Sequence, residues 1–201
     1  GGRSLVEMVE QEARVPVFAH LEGICHIFVD KSADKQKSLD VCLNAKMRRP
    51  GICGAVETIL VHSDIANEFL PSLINALNAQ ACEIRGCHKV KLLNENIVEA
   101  NEEDWSTEYL LPIISIKIVD SFNQAIEHIE FYSSGHTESI LTEDLNRAAR
   151  FQKELDSAIT YFEDFINKTL PQNIEGVNPM DVMKSYNLLR TELSKLYVDI
   201  E

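Results

Sequence analysis

Ile24-Cys25-His26-Ile27-Phe28-Val29, between Gly23 and Asp30, is a nearly continuous apolar run with no alternation. A strand that shows one face to water alternates polar and apolar residues, whereas an unbroken short run is how a strand covered on both faces reads. Strands of that kind belong to parallel sheets, whose neighbours need long crossover connections. The sequence on the C-terminal side supplies them. Residues 33–47 read as a helix through Leu39, Val41, Cys42, Leu43 and Ala45, stopped by Arg48-Arg49-Pro50-Gly51. Glu57–His62 is a second apolar strand. Asp64 is expected to cap the next helix, which carries Ile65, Phe69, Leu70, Leu73, Ile74 and Leu77 at helical spacing.

The alternation continues along the chain. Residues 81–93 read as a short strand and a loop. Residues 94–108 are a polar, acidic loop whose single Trp105 predicts that it is packed down. Leu110–Val119 is a strong β run, and Ser121 caps a helix with Phe122, Ala125, Ile126 and Ile129. Ser133–Thr137 is a turn, Glu138–Leu141 a short strand, Thr142 the cap of a helix over 143–155, and Ala158–Phe162 a further strand. On the N-terminal side, residues 3–13 read as a short amphipathic helix, and Val15–Ala19 as a short strand that Pro16 restricts to an edge or a strand start. The fold class is therefore α/β, with a largely parallel sheet flanked by helices over residues 1–162. In such sheets sites are expected at the carboxyl ends of the strands. Residues 163–201 change texture. A linker leads to Asn178-Pro179 and an amphipathic helical tail through Met183, Tyr186, Leu189, Leu193, Leu196 and Ile200.

Composition limits the partners. With 32 acidic against 19 basic residues, the formal net charge is −13, which argues against nucleic acid and anionic membranes as partners. No apolar run has the length of a bilayer span and no signal peptide opens the chain, so a cytoplasmic setting is expected. The five cysteines (Cys25, Cys42, Cys53, Cys82 and Cys87) are odd in number and lack disulfide-scaffold spacing. Cys82-x4-Cys87-His88 lacks a second ligand pair, so a strand-to-loop segment is favoured over a metal site. His26, inside the buried run, is expected to be a hydrogen-bonded core histidine.

One cysteine stands apart. In Arg49-Pro50-Gly51-Ile52-Cys53-Gly54-Ala55-Val56-Glu57, a Pro-Gly turn precedes Cys53 and Gly54 follows it. The backbone can bend sharply there and present the thiol to a substrate. Arg48 and Arg49 add positive charge that favours a thiolate and attracts an anion. Spacing alone leaves a buried structural cysteine as the commoner outcome.

These segments together resemble a known family. Val15-Pro16-Val17 with His20–His26, Val29–Asp34, Ala45-Lys46, Arg49–Cys53, Glu57–His62, Glu103-Asp104-Trp105 with Thr107–Leu110, Val119-Asp120-Ser121, and Ser134–Glu138 with Thr142-Glu143-Asp144 are similar to the catalytic part of the gamma-glutamyl phosphate reductases, in the aldehyde dehydrogenase superfamily. The resemblance implies an aldehyde-dehydrogenase-like catalytic domain. It also implies NADPH-dependent reduction of gamma-glutamyl phosphate to glutamate-5-semialdehyde in proline biosynthesis. Cys53 would be the nucleophile that forms a thioacyl enzyme. Glu108 would touch the nicotinamide ribose, His136 would lie beside the substrate pocket, and Arg49 would face the anionic substrate. Gly54 stands where the family commonly carries Asn. The family's nucleotide-binding region is expected before residue 1, and no Gly-x-Gly-x-x-Gly or Walker-type loop occurs in the sequence. The implied partners are the small-molecule substrate and either a homo-oligomer or a separately encoded nucleotide-binding chain. The alternative is an inactive interaction module that docks through the C-terminal helix.

Overall fold

In the computed structural model of the chain, residues 3–14, 22–155, 157 and 159–162 are described. The strand read at Val15–Ala19 and the linker and tail at 163–201 lie outside them. The elements in order are α1 (Arg3–Glu12), β1 (Cys25–Val29), α2 (Lys35–Met47), β2 (Val56–His62), α3 (Ser63–Ala79), β3 (Glu83–Gly86), α4 (His88–Lys91), β4 (Val98–Glu99), β5 (Ile113–Val119), α5 (Phe122–Tyr132), β6 (Thr137–Leu141), α6 (Leu145–Glu154) and β7 (Ile159–Phe162).

The strands form one sheet in the order β4-β3-β5-β2-β1-β6-β7. Every pairing is parallel. β1, the run that first indicated the fold, lies between β2 and β6 and is buried at all five positions. Its side chains divide between two cores. Ile27 and Val29 join Ile59 and Val61 of β2 and Ile114 and Ile116 of β5, under α2 and α3. Phe28 joins Leu60 and Ile140 on the other face, under Phe122, Ile126 and Ile129 of α5 and Phe151 of α6. Full burial of side chains this size stabilises by about 1.5–3 kcal/mol each, so the two-faced packing is the main reason the sheet forms.

The carboxyl ends of the strands lead directly into helix caps. Asp34 caps α2 and Ser121 caps α5, the latter as the sequence indicates. Two caps differ from expectation. β2 runs into α3 without a linker, so the strand's last residue, His62, is the cap, and its Nδ1 accepts from the Asp64 amide at 3.2 Å. Asp64 lies in the first turn instead. Asp144, not Thr142, caps α6, accepting from the amides of Asn146 and Arg147. Thr142 donates to the buried carboxylate of Asp30 at 2.9 Å. Ser32 and Arg147 bind the same carboxylate. Burial opposes ionisation of Asp30, but these hydrogen bonds and the Arg147 charge outweigh it and hold the carboxyl below its ordinary value.

Residues 81–93 contain the four-residue α4 as well as β3. Trp105 is packed down, 5% exposed, in a 3-10 turn over Glu102–Ser106 closed by a capping box of Asn101 and Asp104. His26 is buried in the core, with Nδ1 3.2 Å from Glu138 Oε2, but the contact is not aligned as a hydrogen bond.

Candidate active site

Four segments that enter strands meet at the amino ends of β1, β2, β5 and β6. This is the opposite edge from the one expected, because the carboxyl ends are taken up by the caps and by the Asp30 cluster. Gly23 and Ile24 lead into β1, residues 49–55 into β2, Thr107–Pro112 into β5, and Ser133–His136 into β6.

Cys53 lies exposed in the turn before β2. The turn is closed by Ala55 N–H donating to Ile52 O at 2.9 Å. Gly23 is packed against it. A Cβ built on Gly23 would sit 2.9 Å from Cys53 Cα and closer still to the Cys53 carbonyl. Only a residue without a side chain lets the two backbones approach this far. Gly54, by contrast, has open space where a Cβ would go. Gly23→Ala is expected to lose about 1–3 kcal/mol of stability, since backbone must move to admit the methyl group, and to change the alkylation rate of Cys53. A variant with the parent's melting temperature and alkylation rate would show that the approach is not tight.

The same contact draws in the other predicted residues. Glu108 is half-buried, and its Oε1 accepts from the Gly23 amide at 2.9 Å. Cys25 donates its thiol to the Cys53 carbonyl at 3.1 Å, and its Sγ lies 3.6 Å from His136 Nδ1. Burial, with the Glu138 charge adding to it, pushes the Cys25 thiol up to about 12. It therefore remains a protonated donor. His136 Nδ1 is also 2.7 Å from Thr137 Oγ1. Its loop is pinned by the Ile24 amide, which donates to Ser134 Oγ at 2.9 Å, and by Ser133, which donates to Glu138. Cys53, Glu108 and His136, far apart in sequence, are thus joined through Gly23 and Cys25. Arg49 stands exposed on the rim, four residues before Cys53, and contributes its carbonyl to the turn.

Two further groups support the site. Arg85 Nη1 donates to Asp104 Oδ1 at 2.6 Å, Tyr109 OH donates to the same oxygen at 2.9 Å, and Tyr109 OH meets Ser115 Oγ at 2.9 Å. This chain ties the residue next to Glu108 to the sheet. Under it lies a buried ion pair, Lys46 Nζ to Glu57 Oε2 at 2.5 Å, with side chains 0% and 1% exposed.

Burial raises the Glu57 carboxyl to about 7, against the Lys46 charge and the Leu110 amide, which lower it; the Glu108 charge adds to the rise. The folded state therefore holds this proton more tightly than the unfolded chain, whose ordinary value is 4.5. The contribution to stability is present below that ordinary value and is lost as pH rises towards the folded value. Urea midpoints are expected to fall between about pH 4.5 and 7, with this component missing in Glu57→Gln. An identical profile in the variant would refute the assignment.

Among the described residues no group of three His, Cys, Asp or Glu is placed to hold a metal ion. Cys87 Sγ instead accepts from the Ile118 amide at 3.5 Å. Sequence reasoning gave Gly23 and Cys25 no functional role and passed over the Lys46–Glu57 pair. The available signal was a Lys and a Glu flanking the Cys53 loop, each inside a stretch destined for burial.

The sequence profile described as the aldehyde dehydrogenase family matches residues 96–179. The gamma-glutamyl phosphate reductase of Bartonella tribocorum is 53% identical over 159 residues, 79% of this chain and 39% of the relative. The crystal structure of gamma-glutamyl phosphate reductase from Thermotoga maritima superposes with a TM-score of 0.77 at 49% identity, over 80% of this chain and 39% of that one. Over about four fifths of its length the chain resembles the gamma-glutamyl phosphate reductases of the aldehyde dehydrogenase superfamily.

The chain spans about two fifths of the length of the curated relatives it matches. At greater distance the same fold persists. A glyceraldehyde-3-phosphate dehydrogenase from Methanocaldococcus jannaschii, solved in complex with NADP, gives a TM-score of 0.63 at 17% identity, over 79% of this chain and 43% of that one. Among the described residues, no helix is long and apolar enough to cross a membrane.

Proposed function

We propose that this chain provides the thiol-bearing half of an NADPH-dependent acyl-phosphate reductase acting on gamma-glutamyl phosphate in proline biosynthesis. The observation that carries this reading is the convergence of Cys53, Glu108 and His136 through Gly23 and Cys25. It gathers on one edge the residues that the family resemblance assigns to nucleophile, cofactor and substrate.

The Cys53 thiolate attacks the acyl carbonyl carbon, the bond from that carbon to the phosphoryl oxygen breaks, and inorganic phosphate leaves. Carbon and sulfur are then joined as a thioester. Arg49, on the rim, meets the phosphate charge electrostatically. His136 borders the acyl group. Cys25 is held protonated, so it fixes the Cys53 backbone and does not compete as a nucleophile.

The residues present fit one end of the cofactor. Glu108 is oriented by Gly23 and suits a ribose hydroxyl. A pyrophosphate is held by amides at a helix N-terminus or a glycine-rich turn, and Asp34, His62, Ser121 and Asp144 each occupy one or two of those amides at α2, α3, α5 and α6. The chemistry supplied by NADPH when bound is hydride donation to the thioester carbonyl. The rest of the cofactor's contacts belong to sequence of the kind that fills the remaining length of the relatives, either in a longer chain or in a partner.

Incubation with gamma-glutamyl phosphate tests the reading without any nicotinamide. One acyl adduct on Cys53 by mass spectrometry and a stoichiometric burst of phosphate are expected. No adduct, and a burst no larger than in Cys53→Ala, would refute it. Calorimetric titration with NADPH then reports how much of the cofactor site this chain carries alone.

A further inference from the structure

Glu57 is the second residue of β2, and its carboxylate reaches two neighbours. Oε2 meets Lys46 Nζ, in the last turn of α2. Oε1 accepts from the Leu110 amide at 3.3 Å. Leu110 has a φ of 52°, a left-handed conformation that a bulky residue rarely adopts. Its side chain is 42% exposed, so burial of the leucine does little to hold that conformation. Two residues earlier, Glu108 grips the Gly23 amide. Leu110's carbonyl, for its part, would lie 3.7 Å from a Cβ placed on Gly51, in the turn that carries Cys53.

Lys46 precedes the Cys53 loop and Glu57 follows it, so the pair spans the base of that loop. A buried ion pair is weak evidence for stability, because an apolar pair of similar volume often serves as well. An apolar pair has no oxygen for the Leu110 amide, and that amide leads directly to Glu108. We infer that Glu57, its buried charge balanced by Lys46, is a positioning residue whose side-chain oxygen locks Leu110 in its left-handed conformation and thereby holds Glu108 against Gly23 and the Cys53 loop.

The consequence for catalysis rests on the role proposed for Glu108, while the positioning itself does not. The test is hydrogen exchange of the full chain without substrate or nicotinamide, so its outcome is independent of whether the chain reduces an acyl phosphate. Lys46→Met with Glu57→Leu removes both charges and the acceptor. Exchange at the Leu110 and Gly23 amides is expected to accelerate about tenfold or more, with Ile59 and Ile116 in the core unchanged. Lys46→Met with Glu57→Gln keeps a side-chain oxygen for Leu110 and is expected to stay within about twofold of the parent. Glu57→Asp, which shortens the arm with Lys46 in place, gives the same local acceleration and serves if the Glu57→Leu chain does not fold. Equal exchange in the Gln and Leu pairs would overturn the inference, as would acceleration at Leu110 that leaves Gly23 untouched.

Discussion

Cys53→Ala is expected to abolish phosphate release from gamma-glutamyl phosphate, lowering the rate by at least about a thousandfold. Among the described residues, Cys53 is the exposed thiol at this edge. Cys25 is the nearest thiol, but it is buried, donates to the Cys53 carbonyl and is pushed up to about 12. It has almost no thiolate at neutral pH and does not substitute. Stability should change by less than about 0.5 kcal/mol, because Cys53 is exposed. A phosphate-release assay and a thermal melt on one preparation separate the two effects. Residual release within tenfold of the parent would move the nucleophile elsewhere.

Lys46→Met is expected to have the largest effect on stability. It leaves Glu57, 1% exposed, without the ammonium 2.5 Å away. Breaking a buried pair by removing one partner costs about 3–5 kcal/mol. The loss should be smaller near pH 5, where the carboxyl of Glu57 carries a proton, and larger near pH 8, where the folded chain must either hold that proton against the solvent or bury an unpaired carboxylate. Urea denaturation at the two pH values checks this. Combining Lys46→Met with Glu57→Leu should recover much of the loss, since no uncompensated charge remains. Equal losses at both pH values would mean that Glu57 does not titrate between them.

The sheet was legible because buried parallel strands have a signature that local pattern preserves. β1, β2 and β5 are each short apolar runs, and the helices that follow β2 and β5 have clear periodicity. The caps were less legible. His62 and Asp144 displaced Asp64 and Thr142 because the lengths of strand–helix junctions are set by packing, which periodicity does not report. Cys53 could be singled out from its Pro-Gly turn, and Glu108 and His136 from family resemblance. The edge on which they meet could not. Gly23 looked like ordinary punctuation before a strand, yet its missing side chain is what admits Cys53. A contact between residues thirty apart leaves no local trace, and a Lys and a Glu destined for full burial look in sequence like surface charges.

The position of β1 also bears on how the chain is made. One edge of β1 pairs with β2, which follows within about thirty residues, but the other pairs with β6, which begins at Thr137. At a synthesis rate of roughly 5–20 residues per second, the intervening segment takes on the order of 5–20 s to emerge. Throughout that interval β1 presents an unpaired apolar edge, a template for strands of other nascent chains. The strand that organises the finished sheet is therefore open to mispairing during translation, and chaperone engagement at that stage bears directly on the yield of folded protein.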